Sequence, residues 1–514
     1  MSDTIAAVAT GAGISAVGIV RVSGNNALTV ADNVFRAACG VSVLDFKPRR
    51  MYYGEFVDKT GGDGKTGDGK TGGKTGDGSL SYSPAGVRQR TVPCLTAPPS
   101  LTVPCLILDL CLCTISRAPS SYTGEDTVEF HCHGSPVVLA EVLRVLFKYD
   151  VRQALPGEFT RRAFLNGRMD LVQAEAVIDL IEAETPAAAR NSAGQLRGAI
   201  SLKMDSVYSR LLDIMAHFHA VIDYPDEDID DFKLKDYLST LHTIDDELRQ
   251  MLETHERCKV LREGIPTAII GRPNTGKSSL LNALLGYDRA IVTEIAGTTR
   301  DTVEEKILIG NVLLRLIDTA GLRKTVDSIE KLGVERTLAA ISGAGLVILV
   351  LDGSEPLRNE DYDALRSIPP DVPKIAVVNK SDLPSVLDVN DLAKLGIENC
   401  TVSALSGEGL DSLDEEIRKL FPVFEGEQSE RMVSYTRPEQ YVRGELITNA
   451  RQAEAISRAK ASICLAISAL TASVTPDAVL TDLESALAAI GEVTGKTIRE
   501  DIVSRIFERF CVGK

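Results

Sequence analysis

GRPNTGKSS, residues 271–279, decides how this chain is read. It fits G-x-x-x-x-G-K-[ST], follows an apolar run at 267–270 and leads into SLLNALLG. That is the strand–loop–helix order a phosphate-binding loop requires. Successive N–H groups of such a loop, here Asn274, Thr275, Gly276, Lys277, Ser278 and Ser279, wrap phosphate oxygens. Lys277 is placed to reach the terminal phosphates, and the Ser278 hydroxyl to ligate Mg²⁺.

Three matching stretches follow in order. IDTAG (317–321) ends the apolar run LLRLI; it sets Asp318 to hold Mg²⁺ through water and the Gly321 N–H to meet the γ-phosphate, with Thr319 and Ala320 between them. VVNKSD (377–382) reads the base. Asp382 accepts from the guanine ring N–H and exocyclic amine, while Asn379, the Lys380 stem and Ser381 form the loop around it. Adenine lacks that donor pair, so the loop selects GTP over ATP. Ser403, Ala404 and Leu405, after a further short strand, fit the loop whose backbone N–H meets the guanine oxygen. GTTRD (297–301) supplies Thr299 as a second Mg²⁺ ligand.

The hydrolytic residues depart from a common pattern. Many P-loop GTPases carry Gln directly after D-x-x-G to orient the attacking water. Here that position is Leu322, and Arg323, Asp327 and Glu330 in the next loop are candidate substitutes. No arginine finger is evident. A bound monovalent cation between the β- and γ-phosphates is one way to offset transition-state charge, and the Asn274 carbonyl suits it.

A chain of 514 residues is long enough for two to four domains with real cores. With 56 Lys+Arg against 72 Asp+Glu, its net charge of −16 argues against one broad basic face tracking nucleic acid, but leaves room for local patches. The N-terminus lacks a secretory pattern, and no apolar run is long enough for a membrane span. Ten cysteines without framework spacing fit reduced thiols, so a cytoplasmic protein is expected.

The expected organisation is multidomain, α+β and α/β. Residues 1–166 mix strand signals (VGIVRVSG, 17–24; DTVEFHCHG, 126–134) with a helical run, PVVLAEVLRVLF (136–147). Within them, 59–105 reads as an insertion: Lys-Thr-Gly recurs four times in 59–78, a composition that cannot bury a core. Cys111, Cys113, His131, Cys132 and His133 alternate along two strands, a pattern suited to filling a sheet rather than to converging on zinc. Residues 167–262 show apolar spacing of three and four, as in SRLLDIMAHFHAVID (209–223), and 223–231 form an acidic break. Residues 263–424 alternate strands and helices, implying a mostly parallel sheet. Helical periodicity resumes from Arg437 to Phe510, within a second helical segment of 425–514 that ends in CVGK. The economical arrangement is one split helical domain carrying an inserted GTPase domain.

With these marks in place, the chain resembles the tRNA wobble-uridine modification GTPase family, MnmE or TrmE, over nearly all its length outside 59–105. The resemblance rests on RVSG (21–24), SYTGED (121–126), PGEFTRRAFLNGRMDLVQAEAV (156–177), YPDEDID (224–230), GRPNTGKSS, DTAGLR and the final CVGK (511–514). It implies a homodimer built through folate-binding-like N-terminal domains, and an FAD-dependent partner, MnmG (GidA). It also implies transfer of a one-carbon unit from 5,10-methylene-tetrahydrofolate to C5 of the wobble uridine of certain tRNAs. K⁺-dependent pairing of the GTPase domains would activate hydrolysis. By matching position, Asn274, Thr293, Ile295 and Thr298 would bind K⁺, and Ser278 and Thr299 Mg²⁺. Thr293, Glu294, Ile295, Ala296, Gly297, Thr298 and Thr299 would line the nucleotide, and Glu330 would orient the water. Folate contacts fall on Arg21, Glu129, Arg168 and Lys514, with Cys511 a candidate functional thiol. Arg168 stands where the family commonly has Lys, which keeps the charge but changes donor geometry. The competing expectations are a non-catalytic regulatory or ribosome-assembly GTPase and a folate-dependent methyl-carrier enzyme acting on another target.

Overall fold

The computed structural model describes residues 3–11, 13–59, 106–223, 231–286, 305–309, 312–317, 341–387, 392, 397–421, 444–472, 474–497, 500–508 and 510–513. These fall into two compact units, Met1–Asp170 with Arg499–Lys514, and Leu171–Ile498.

In the first unit, strands β1 (Thr4–Val8), β2 (Ser15–Ser23), β3 (Phe35–Ala37), β4 (Tyr52–Asp58), β5 (Leu106–Ser116), β6 (Thr127–Gly134) and β7 (Val151–Gln153) form one sheet, ordered β3-β4-β5-β6-β2-β1-β7. All neighbours run antiparallel except β1 and β7. Period-two alternation sorts its faces. Val128, Phe130 and Cys132 of β6 point into the core with Cys111 and Cys113 of β5, beneath α1 (Ala27–Val34) and α2 (Pro136–Leu146). The intervening β6 positions Glu129, His131 and His133 are therefore on the opposite face. Three buried cysteines thus fill space between strands and helices, and burial pushes the Cys113 thiol pKa upward.

The last helix, Glu500–Phe507, packs the Phe507 ring at a tilt against Phe164 of α3 (Glu158–Leu165) and against Phe510. Val512 then bridges Pro156. Gly513, at φ +101°, passes so close to β1 that a Cβ would fall 2.0 Å from the Val8 carbonyl oxygen. This end of the chain, expected with the second helical segment, belongs by its contacts to the first unit.

The second unit opens with α4 (Leu171–Ile181), α5 (Pro186–Leu196), α6 (Ala199–Asp223) and α7 (Asp231–Glu263). After the GTPase segment it resumes with the helices Ala450–Thr471 and Pro476–Thr494. Met204, Leu211 and Phe218 share one core with Leu241, Leu248, Ile456, Ile463, Leu483 and Ile490, so segments far apart in sequence bury a common face. Buried Glu175 closes it: its carboxylate accepts from Arg451 Nε at 2.7 Å and Nη2 at 2.8 Å, and from Gln452 Nε2 at 2.8 Å.

Between them lies a six-stranded sheet of β8 (Ile265–Ile270), β9 (Glu305–Ile309), β10 (Val312–Leu316), β11 (Leu346–Asp352), β12 (Lys374–Asn379) and β13 (Glu398–Thr401), ordered β13-β12-β11-β8-β10-β9. Only β9 is antiparallel to its neighbour. Apolar clusters cover both faces, which accounts for the near-continuous apolar runs such as LVILVLD in β11. The fold class matches the expectation. Residues 60–105 and 224–230 lie outside the described residues. Among the described residues no helix is long and apolar enough to cross a membrane.

Candidate functional site

Parallel pairing puts the C-terminal ends of β8, β11, β12 and β13 on one edge, with Asp352 opposite Asn379 and Val378 opposite Thr401. The strand order reverses beside β8, β10 following on one side and β11 on the other, and crevices at such switch points are where open α/β sheets bind ligands. The loop 271–276 leaves β8 there and enters α8 (Lys277–Leu285).

Asn379 holds the site together. Only 2% exposed, it donates through Nδ2 to the Thr275 carbonyl at 2.8 Å, and its Oδ1 accepts from the Ala404 N–H at 3.0 Å. One amide therefore joins the phosphate loop, the NKSD loop and the Ser403–Leu405 loop. Gly276, at φ +94°, lies beneath it, and an added Cβ would sit 2.1 Å from Asn379 Nδ2. Asp382 is exposed and fixed by Ser403 Oγ, which donates to its Oδ1 at 2.6 Å. Ser381 N–H donates to the Val402 carbonyl at 3.2 Å, closing the two base-side loops on each other. Leu405 is exposed at the rim.

Lys277 donates to the carbonyls of Gly271 at 2.8 Å and Arg272 at 2.7 Å. Burial lowers its pKa, so its charge lies poorly solvated over the loop, where an incoming phosphate would be favoured. Asn274 has φ +63°, a left-handed conformation that turns the loop. Thr275 is fully buried, and Ser279 is exposed.

Two residues of this edge were not singled out from sequence. Burial raises the pKa of Asp352, but the bonds from Lys380 (2.5 Å) and from Ser354 Oγ (2.6 Å) and N–H (3.0 Å) outweigh it, holding the carboxyl below its usual range. This anchors the Lys380 stem. Arg272, nearly buried, pairs with Glu355 at 2.7 Å and Asp361 at 3.4 Å, tying the start of the phosphate loop to the segment after β11. The apolar run before Asp352 was a usable signal; Arg272 occupies an unrestricted motif position and gave none. Thr293, Glu294, Ile295, Ala296, Gly297, Thr298, Thr299, Asp318, Thr319, Ala320, Gly321 and Glu330 lie outside the described residues.

In the first unit, Arg21 and Glu129 face each other across β2 and β6, with Nε 2.8 Å from Oε1. The guanidinium lies 5.5 Å from the Tyr122 ring centroid and 5.6 Å from that of Phe159. Arg168 donates through Nε to the Ser121 carbonyl at 3.2 Å, so both arginines border the 121–124 loop. A mostly buried ion network braces that loop: Arg162 contacts Glu125 at 3.0 Å and Glu158 at 2.9 Å, and Ser23 Oγ donates to Glu125 at 2.8 Å. The Cys511 thiol is exposed, and its backbone carbonyl accepts from Gly157 N–H at 3.3 Å. Lys514 lies outside the described residues. Tyr122, Phe159 and the network escaped the sequence reading, because ring contacts and ion pairs of this kind depend on tertiary placement.

A P-loop sheet whose edge carries an NKSD loop defines a guanine-nucleotide-binding hydrolase. Residues 171–511 match the family model for the MnmE helical domain, and residues 4–70 and 96–168 that for the GTP-binding protein TrmE N-terminus. The chain is 38% identical to the tRNA modification GTPase MnmE of Natranaerobius thermophilus, over 100% of this chain and 99% of that protein. It is 36% identical to that of Clostridioides difficile over 100% of both. Among solved structures, the G domain of the T. maritima FeoB iron transporter is 31% identical over 30% of this chain and 96% of that one, with a TM-score of 0.23. The chain belongs to the MnmE family of tRNA modification GTPases.

Proposed function

We propose that this GTPase drives modification of C5 of the wobble uridine in certain tRNAs to an aminomethyl or carboxymethylaminomethyl form. The working unit is a cytoplasmic homodimer acting with an FAD-dependent protein of the MnmG kind. The one-carbon unit derives from 5,10-methylene-tetrahydrofolate. The observation that carries this reading is the coexistence in one chain of a guanine-reading loop set, joined through Asn379, and the Arg21–Glu129 pair beside Tyr122. A carboxylate acceptor, cations and aromatic faces suit a pterin edge and a glutamate tail. Arg21, Glu129, Arg168 and Lys514 would hold the folate.

Ser278 and Thr299 would hold Mg²⁺, as hard oxygen donors do. Asn274, Thr293, Ile295 and Thr298 would hold K⁺. Bound there, these ions supply positive charge where negative charge develops between the β- and γ-phosphates. Glu330 would orient the attacking water in place of the absent Gln. Glu330→Gln is accordingly expected to leave GTP affinity unchanged and slow turnover about 10²-fold or more. Replacing K⁺ by Na⁺ should slow the unaltered enzyme similarly. Steady-state hydrolysis with nucleotide titrations checks both, and unchanged turnover in the variant would remove Glu330 from the mechanism.

The tRNA assignment is tested by nucleoside analysis of tRNA from a strain lacking this chain. Unmodified wobble uridine is expected. Fully modified uridine rejects the reading.

A further inference from the structure

Against a net charge of −16, one turn of the first unit gathers a cluster of cations. Lys47, Arg49 and Arg50 are exposed on the run KPRR, residues 47–50. Arg117 joins them, because the Arg49 N–H donates to the Ile115 carbonyl at 2.9 Å and Arg49 Nη2 to the Ser120 carbonyl at 3.1 Å. Arg117 Nη2 in turn donates to the Leu44 carbonyl at 2.5 Å.

These bonds fix the Arg49 and Arg117 side chains without neutralising them, since each acceptor is an uncharged carbonyl. Among the described residues none of the four forms an ion pair, whereas Arg21, Arg144, Arg152 and Arg162 of the same unit all do. Asp45, two residues before Lys47, is the carboxylate nearest in sequence to the run, and it forms no ion pair with these cations among the described residues. The turn is also rigid. Phe46 stacks on Tyr52 with centroids 3.6 Å apart, and the Lys47 N–H donates to the Tyr52 hydroxyl at 3.0 Å. Arg49 sits at φ +61°, a left-handed conformation that glycine adopts freely and that strains a residue with a Cβ. An arginine kept at such a position supplies charge at a fixed place.

We propose that Lys47, Arg49, Arg50 and Arg117 form a contact surface for the phosphate backbone of the tRNA substrate. The proposal rests on the tRNA reading above and names where that substrate is gripped. Two arginine forks held in place, with Arg50 and Lys47 exposed beside them, suit phosphate oxygens and carry no base information, so the surface positions the tRNA rather than selecting it.

The test is tRNA binding by the full-length chain across a salt series, for the unaltered protein, for Lys47→Ala/Arg50→Ala, and for Lys47→Ala/Arg50→Ala/Arg117→Ala. The double variant removes only exposed side chains and so keeps the test valid if Arg117 proves needed for folding. Affinity is expected to fall about tenfold or more in the triple variant. The slope of log K against log[salt] should shrink by about 0.7–0.9 for each phosphate that is no longer neutralised. GTP hydrolysis without tRNA should be unchanged, and Arg366→Ala, which removes an exposed cation of the second unit that pairs with Asp363, should bind tRNA normally. Unaltered affinity and slope in both variants would overturn the proposal. So would failure of the unaltered protein to bind tRNA. The nucleoside analysis separates the two levels: modified wobble uridine in the deletion strain rejects the tRNA reading itself, whereas unmodified uridine with unaltered binding by the variants rejects this surface alone.

Discussion

Asp382→Asn should weaken GTP binding about 10²- to 10⁴-fold. A charged acceptor facing two guanine donors contributes about 1.5–3 kcal/mol per hydrogen bond, and an amide turned the wrong way sets donor against donor. Ser403 Oγ, 2.6 Å from Asp382 Oδ1, retains a partner in the variant, so the loop should stay in place. The same change should improve binding of xanthosine triphosphate, which carries a carbonyl where guanine has its amine. Titration with both nucleotides reads the effect, and equal GTP affinity in variant and parent would mean that Asp382 does not touch the base.

Gly276→Ala should be as damaging for a different reason. The new methyl group would lie 2.1 Å from Asn379 Nδ2. Asn379 is enclosed and cannot swing aside without giving up its bonds to Thr275 and Ala404. The backbone at φ +94° adds about 1–3 kcal/mol of strain for any side chain. Because the three loops lose their shared amide, affinity for GDP and GTP should drop together, by about 10²-fold or more. The helical core of the second unit does not touch Gly276, so helix content by circular dichroism should be unchanged. Retention of tight GDP binding would show that the loops hold their positions without Asn379.

What could be read in advance follows from the range of the interactions concerned. The phosphate loop and NKSD stood out because backbone wrapping and base reading demand particular residues at short, fixed spacings. The alternation in β6 and the spacing in α6 were equally local. Arg21 and Glu129, by contrast, meet only because β2 and β6 pair across more than a hundred residues. Arg162 braces the loop beside Arg21 through Glu125 and Glu158, contacts that no spacing in the sequence announces. The final segment looked like one more helix of the bundle; its aromatic residues, Phe507 and Phe510, seat it by α3 instead. Its amphipathic period specified a buried face but not the neighbour that would bury it.

The way the chain leaves and re-enters the helical bundle has a mechanical corollary. Asn191 and Gln195 of α5 both donate to the Leu446 carbonyl, at 3.1 and 2.7 Å, and His255 of α7 meets the Ile447 carbonyl at 3.1 Å. His255 lies eight residues, roughly 12 Å of helix, before the end of α7, from which the outgoing strand departs. Outgoing and returning segments are thus moored close to one another, as two cords at a single attachment. Lys306 of β9 also pairs with Glu184, just before α5, at 3.1 Å, and Ala187 of α5 packs on the sheet's core, so the lobe is braced against the bundle at this same corner rather than hung from it.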